Sequence, residues 1–440
     1  MLIPEYYPVK EVLLSLHGSD DLYVEYLAIL ASHLKNQDTR VRVIFPDETY
    51  CDTGGHARAS IYSLNQRMQY YCKSEFGLCD PPQLEYMCSR HNYPWIQNDA
   101  MLEGIDEATH EKVYFVSRGA APLRAQVDPS LQPKITKLPL IWSGNASFKV
   151  DALGGNLYVT DQLVDLNPTF GKSGVEIELR KYFKFKSLVW LKANPWESTK
   201  DLDTVVHFAS TKDGVVHAFL ATNGEKRRSL KPDRYLRNLD IYGPALGSRD
   251  EEVACGKHIF DGHFLGCSSF ALNSVGELQG YWNDQEEFAR KRRICEQETQ
   301  FNECMRSFSE NRNRIAREAD HDNLSLLVRA GIDERNIHTV PNAGIYTGTG
   351  RTTSAASYIN GIAQGNTYYL PKFPSFEIAD RYYDETKASS REKMLQWGAS
   401  DVAAMDAFSI VYAKTVPIRI DFMRGGAIHC TTYVVNKPLR

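Results

Sequence analysis

Apolar positions in the first fifty residues change their period twice. Lys10–His17 (K-E-V-L-L-S-L-H) is a short apolar run that reads as a strand. Leu22, Tyr26, Leu27, Leu30 and Leu34 then fall at helical spacing and predict a helix over Asp20–Leu34. Val41–Phe45 (V-R-V-I-F) returns to strand spacing. Strand, helix, strand is how an α/β fold opens. Further strands are predicted over Lys112–Arg118, Ser187–Leu191, Val215–Ala221, Thr367–Leu370 and Ile418–Phe422. Helical patterns cover Ile61–Tyr71, Ala388–Trp397 and Val402–Phe408. Ser147–Asp161 reads as two short strands joined at Gly154-Gly155-Asn156, where glycines can supply positive φ. Asn283–Leu327 is strongly charged with a helical pattern. Its Arg290–Arg293 run is interleaved with glutamates, so it reads as a solvated, salt-bridged helix face. Short strands recur with helices between some of them, but no fixed-length repeat can be extracted.

Composition narrows the class without naming a chemistry. With 42% hydrophobic and 24% charged residues and a formal net charge of −4, the 440-residue chain is an ordinary globular protein. No basic surplus points to nucleic acid or to an anionic membrane. No signal peptide opens the chain and no run of about 18 apolar residues exists. Nine irregularly spaced cysteines predict reduced thiols in a cytoplasmic protein.

Chemistry concentrates at the C-terminal end. The Ile418–Phe422 strand leads to M-R-G-G-A-I-H-C-T, Met423–Thr431. Gly425 and Gly426 allow a tight turn, and Cys430 follows directly. A cysteine so placed can serve as a nucleophile held by the scaffold, although free cysteine is often a small buried hydrophobe. Upstream, Tyr93-Pro94-Trp95-Ile96-Gln97-Asn98-Asp99 sets a carboxylate behind an aromatic anchor. In Lys200–Phe208, residues Asp201, Asp203, Val205 and His207 would share one face of an extended segment. Two carboxylates on an apolar face call for a cation. Cys255, His258, His263 and Cys267 are a Cys/His quartet that could bind zinc. The spacing matches no standard finger, and no metal or cofactor is expected.

Taken in order, these stretches resemble the guanidino-group-modifying superfamily, and within it the agmatine deiminases and protein-arginine deiminases. The family's Trp-anchored Asp loop, G-N turn, H-x-D strand and terminal G-x-x-H-C have counterparts here. These are Trp95–Asp99, Gly154–Asn156, Asp201–Asp203 and Gly425–Cys430, with Tyr358–Asn360 as a further pocket segment. The resemblance implies an α/β propeller of five ββαβ blades about a pseudo-fivefold axis. Residues 1–440 would form a single domain, with 283–327 as a helical insertion. It also implies a hydrolase acting on a guanidino group of a small molecule or of peptidyl arginine, through a covalent thiouronium on Cys430. Asp99 and Asp203 would pair with the planar cation, which suits bidentate carboxylates. Trp95, Asn98, Asn156, Asn360 and Gly425 would line the pocket.

The chain departs from the family pattern in two places. Counted strictly from Trp95, the loop Asp falls on Asn98, and Asp99 fills the slot only with one extra residue. The His of H-x-D aligns with Asp201. His207 lies four residues past Asp203, too far to substitute simply at about 3.3 Å per strand residue. Three readings stay open. Asp201 serves as acid/base with Asp203 beside it; His207 or His217 fills the role in another register; or the site no longer hydrolyses. In the last case it transfers the amidino group, or binds a guanidino ligand or a partner protein.

Overall fold

β1 (Val9–Ser15) is covered on both faces: Val12, Leu13 and Leu14 are all buried. Its sequence is therefore a near-continuous apolar run rather than a clean alternation. The computed structural model describes residues 1–16, 21–35, 39–45, 56–76, 84–88, 101–120, 129–194, 200–222, 314–342, 344–347, 353–372, 402–419, 428–429 and 432–437. Trp95, Asn98, Asp99, Gly425 and Cys430 lie outside the described residues, as do Cys255, His258, His263 and Cys267.

After β1 come α1 (Asp21–Lys35), β2 (Arg40–Phe45), α2 (His56–Phe76) and β3 (Glu85–Cys88). The next strands are β4 (Leu102–Ile105), β5 (Lys112–Val116), β6 (Ile135–Lys137), β7 (Lys149–Val150) and β8 (Leu157–Thr160). Two helices, α3 (Gln162–Asp165) and α4 (Gly171–Arg180), precede β9 (Leu188–Leu191), β10 (Val206–Ser210) and β11 (Val216–Thr222). Helix α5 covers 314–329. Then follow β12 (Ile337–Pro341), a hairpin of β13 (Gly344–Thr347) and β14 (Thr353–Ala356), β15 (Ile362–Gln364) and β16 (Thr367–Lys372). Helix α6 covers 402–409. The final strands are β17 (Lys414–Arg419) and β18 (Thr432–Asn436).

The result is a mixed α/β fold of several small sheets with no closed barrel. Five sheets repeat one wiring. In β4-β5-β6, β7-β8-β9, β10-β11-β12 and β15-β16-β17, the first two strands are antiparallel and the third runs parallel to the second. The fifth unit joins the two ends of the chain. β18 pairs antiparallel with β1, and β1 pairs parallel with β2. A parallel step needs a crossover, and α1, α4, α5 and α6 supply it in four of the units. β3 extends the fifth sheet beyond this pattern.

Each crossover helix buries an apolar stripe. Leu27, Leu30 and Leu34 of α1 share a core with Val43, Tyr368, Leu370 and Phe408. The Phe408 ring stacks between Tyr368, 3.8 Å between centroids, and Phe219, 4.4 Å. Val175 and Leu179 of α4 pack on Phe148, Leu157 and Val159. Leu327 of α5 packs on Val206, Phe208 and Leu220. Residues 314–327 of the expected insertion thus contribute to the core of the β10-β11-β12 unit, while 283–313 lie outside the described residues.

Two local expectations change. Asp201–Asp203 is not part of a strand: Leu202–Thr204 is a 3-10 turn, and β10 begins only at Val206. Cys72 of α2 is disulfide-bonded, contrary to the expected reduced thiols. Among the described residues no helix is long and apolar enough to cross a membrane.

Candidate functional site

The turn that replaces the expected strand sets both carboxylates inward. Asp201 and Asp203 are buried, Asp203 to 1% exposure. Charges this deep require partners, and each has its own. Gln162 Nε2 donates to Asp201 Oδ1 at 2.5 Å, and Ser147 Oγ donates to Gln162 Oε1 at 2.9 Å. Asp203 Oδ2 accepts from Asn360 Nδ2 at 2.8 Å and lies 2.7 Å from His429 Nδ1. Asn360 does more than donate its side chain. Its carbonyl accepts the His429 backbone N–H at 3.0 Å. Asp203 and Asn360 therefore hold His429 by its ring and by its backbone, and the next residue is Cys430.

The far nitrogen of His429 is also engaged. Nε2 lies 3.0 Å from Glu5 Oε1 and 3.4 Å from Lys149 Nζ, and Lys149 Nζ is ion-paired to Glu5 Oε2. Lys149 and His429 are buried, and the Glu5 side chain keeps 26% exposure. Burial pushes the Glu5 pKa up, but Lys149 and His429 outweigh it and hold the carboxylate well below the usual range. Burial and Lys149 push His429 down. Glu5, with hydrogen bonds from His429 to Asp203 and Glu5, reverses this and raises the imidazole above its ordinary value.

His207 behaves in the opposite way. It is buried, its Nε2 lies 2.9 Å from the Tyr412 hydroxyl, and it sits against Tyr368, Phe219 and Phe408. Burial, then repulsion from Lys149, brings its pKa down to about 3. It is a neutral core histidine bonded to a tyrosine. Because the unfolded value is near 6.5, the stability it contributes is complete above pH ~6.5. It falls by up to about 1.4 kcal/mol per unit as pH drops toward the folded value. Urea titrations between pH 6.5 and 5 are expected to lose about one proton's worth of that slope in His207→Phe. An unchanged slope would contradict the assignment. His217 is elsewhere, with Nδ1 2.9 Å from Nε2 of His338.

Asn156 belongs to a separate network. Its backbone N–H and Nδ2 both donate to Asp151, at 2.7 Å each, and Nδ2 also donates to Ala330 O at 2.9 Å. Tyr158 OH adds a bond to Asp151 Oδ2. Asn156 so closes the β7–β8 hairpin and ties it to the end of α5. Gly154 at φ +65° makes the turn, and a Cβ on Gly155 would meet Asp151 Oδ1 at 2.1 Å. Of the expected site residues that are described, Asp203 and Asn360 bond to His429, and Asp201 bonds instead to Gln162. Asn156 is occupied by the hairpin and His207 by the aromatic core.

Sequence reasoning missed Glu5, Lys149, Gln162 and the paired role of His429. Local sequence hid even Lys149, which alternates with Phe148 and Val150 as an outward-facing strand residue would. A cavity of about 50 Å³ lies beside this cluster, with room for a few water molecules. Leu102 of β4, Lys149 of β7, His207 of β10, Ile362 of β15 and Val434 of β18 all line it, so every unit contributes its first strand. Leu2, Ile3 and Glu5 of the N-terminal segment line it too.

No family model matches the chain, and no curated protein matches its sequence. Solved structures do match. A cysteine-to-serine variant of C. jejuni agmatine deiminase with substrate bound aligns at TM-score 0.53 and 13% identity, covering 100% of this chain and 97% of the other. C. jejuni agmatine deiminase itself aligns at 0.53 and 14%, again over 100% and 97%. A proposed peptidyl-arginine deiminase aligns at 0.56 and 10%, over 99% and 98%. Along its whole length, this chain has the fold of those deiminases.

Proposed function

We propose that the protein is a cysteine-dependent hydrolase of the C–N bond in a guanidino group, carried by a small molecule or by peptidyl arginine. The observation that carries this reading is the bond between Asp203 and His429. It joins the D-L-D turn to the residue before Cys430, as a shared site built from those two motifs requires. The five like-wired units would be blades about a common axis, within one domain spanning 1–440. The cavity lined by the first strand of each unit supports that arrangement.

Cys430 is the nucleophile. Asp99 and Asp203 meet the guanidinium. Asp203 does so while holding His429 and Asn360, since a carboxylate has about four acceptor positions. The bound cation favours the thiolate. Sulfur attacks the guanidinium carbon, and a C–S bond forms. The leaving nitrogen takes a proton and departs as ammonia. Water then adds to the thiouronium, the C–S bond breaks, and the ureido product leaves with the thiolate restored. Proton transfer falls to Asp201, the described carboxylate beside Asp203. Trp95, Asn98 and Gly425 complete the pocket.

One observation favours a second reading, binding or amidino transfer without hydrolysis. Both ring nitrogens of His429 are engaged, and His207 is a neutral core group. The experiment is incubation with agmatine, arginine and a peptidyl arginine, with ammonia and ureido product measured. Turnover of one of them is expected. Calorimetric binding without product would replace hydrolysis by the second reading. Transfer to an added amine such as glycine would identify an amidinotransferase.

A further inference from the structure

The Glu5–Lys149 pair has no part in the reaction described above, yet it is built into the site from two remote segments. Residues 1–3 run beside β4, where Ile3 N donates to Glu103 O at 2.9 Å. Tyr6 OH donates to the Asp151 carbonyl at 2.7 Å, next to the β7 strand that carries Lys149. Glu5 is thereby fixed between these two anchors. One of its oxygens meets Lys149 and the other meets His429.

We infer that Glu5 and Lys149 are opposed positioning residues: Glu5 holds His429 as an imidazolium between two carboxylates, and Lys149, 3.4 Å from the same nitrogen, limits that charge. The inference rests on the hydrolase reading only for its purpose. His429 precedes Cys430, and adjacent Cα atoms are about 3.8 Å apart, so a fixed imidazolium there favours a thiolate. Among the described residues, the titratable or charged groups around His429 are Asp203 from the turn before β10, Glu5 from the N-terminal segment, Lys149 from β7 and His207 from β10. The two carboxylates favour the charged ring. Lys149 opposes it directly, and the neutral His207 adds no charge of its own.

The sign of each change separates this role from simple packing. Glu5→Gln removes the attraction and leaves Lys149 facing the ring, so His429 should lose its proton more easily. Lys149→Met leaves Glu5 wholly available to His429, so the ring should hold its proton more tightly. A packing role predicts that both variants loosen the site in the same direction.

The test is the titration of His429 by NMR on histidine-labelled protein, with a His429→Gln sample to assign the signal. In the wild type the midpoint is expected above the ordinary 6.5. Glu5→Gln is expected to lower it by at least about one unit, a tenfold change in the ratio of imidazolium to imidazole, and Lys149→Met to raise it. The double variant Glu5→Gln/Lys149→Met removes both charges together and should titrate between the two single variants. Shifts of the same sign in the single variants, or no shift, would overturn the inference. So would a wild-type midpoint below 6.5, which needs no variant to fold. The readout is independent of turnover: a failed deiminase assay leaves it standing, and a failed titration leaves hydrolysis standing.

Discussion

Cys430→Ala is expected to abolish formation of ureido product and ammonia, with kcat falling at least about a thousandfold. Alanine cannot form the C–S bond on which both halves of the reaction depend, and no other group supplies it by the same route. Ligand affinity should survive, because the carboxylates proposed to meet the guanidinium are untouched. Steady-state kinetics beside calorimetry on the same variant reads both quantities. Activity above about a tenth of wild type would exclude Cys430 as the nucleophile.

The second large effect is on stability. Asp203→Ala is expected to cost roughly 3–5 kcal/mol, the range for removing one member of a buried ion pair. Asp203 is 1% exposed and bonds to the His429 ring and the Asn360 amide. Deleting the carboxylate strands the His429 ring nitrogen and the Asn360 amide donor in the interior. The damage spreads, because Asn360 also holds the backbone of His429. Gly361, next in the chain, admits no side chain: a Cβ there would meet Tyr369 O at 2.3 Å and the Tyr368 ring at 2.7 Å. Asp203→Asn keeps an acceptor and should cost less. Urea or guanidinium unfolding checks both variants. A loss below about 1 kcal/mol for Asp203→Ala would contradict a paired, buried charge at this position.

Local pattern gave the elements whose signal is local. β1, α1, β2 and the β7–β8 hairpin can be read from apolar spacing and two glycines, because their form is set within a dozen residues. The D-L-D turn was less legible. Alternating Asp201, Asp203, Val205 and His207 reads as one strand face, yet the buried carboxylates needed Gln162, Asn360 and His429 as partners, and a 3-10 turn provides them. β18 carries β-branched residues (T-Y-V-V-N), but its meaning lies in the partner it finds at the opposite end of the chain, β1. The five-fold recurrence of strand wiring was invisible as a repeat, since the connections between like strands differ so much in length.

The site was half legible for the same reason. Motif order picked out Asp203 and Asn360, two residues that do meet at His429. It could not reveal the Glu5–Lys149–His429 cluster, whose members are separated by 144 and 280 positions. Ion pairing across such separations leaves no period in the sequence. Lys149 alternates with Phe148 and Val150 and so looks like any solvent-facing strand residue.

The most direct measurement is mass analysis of the protein quenched in acid during turnover of the best guanidino substrate, followed by peptide mapping. A covalent amidino adduct, the substrate less ammonia, is expected on the peptide containing Cys430, and it should be absent from Cys430→Ala. Steady product formation with an adduct on another residue would contradict the account.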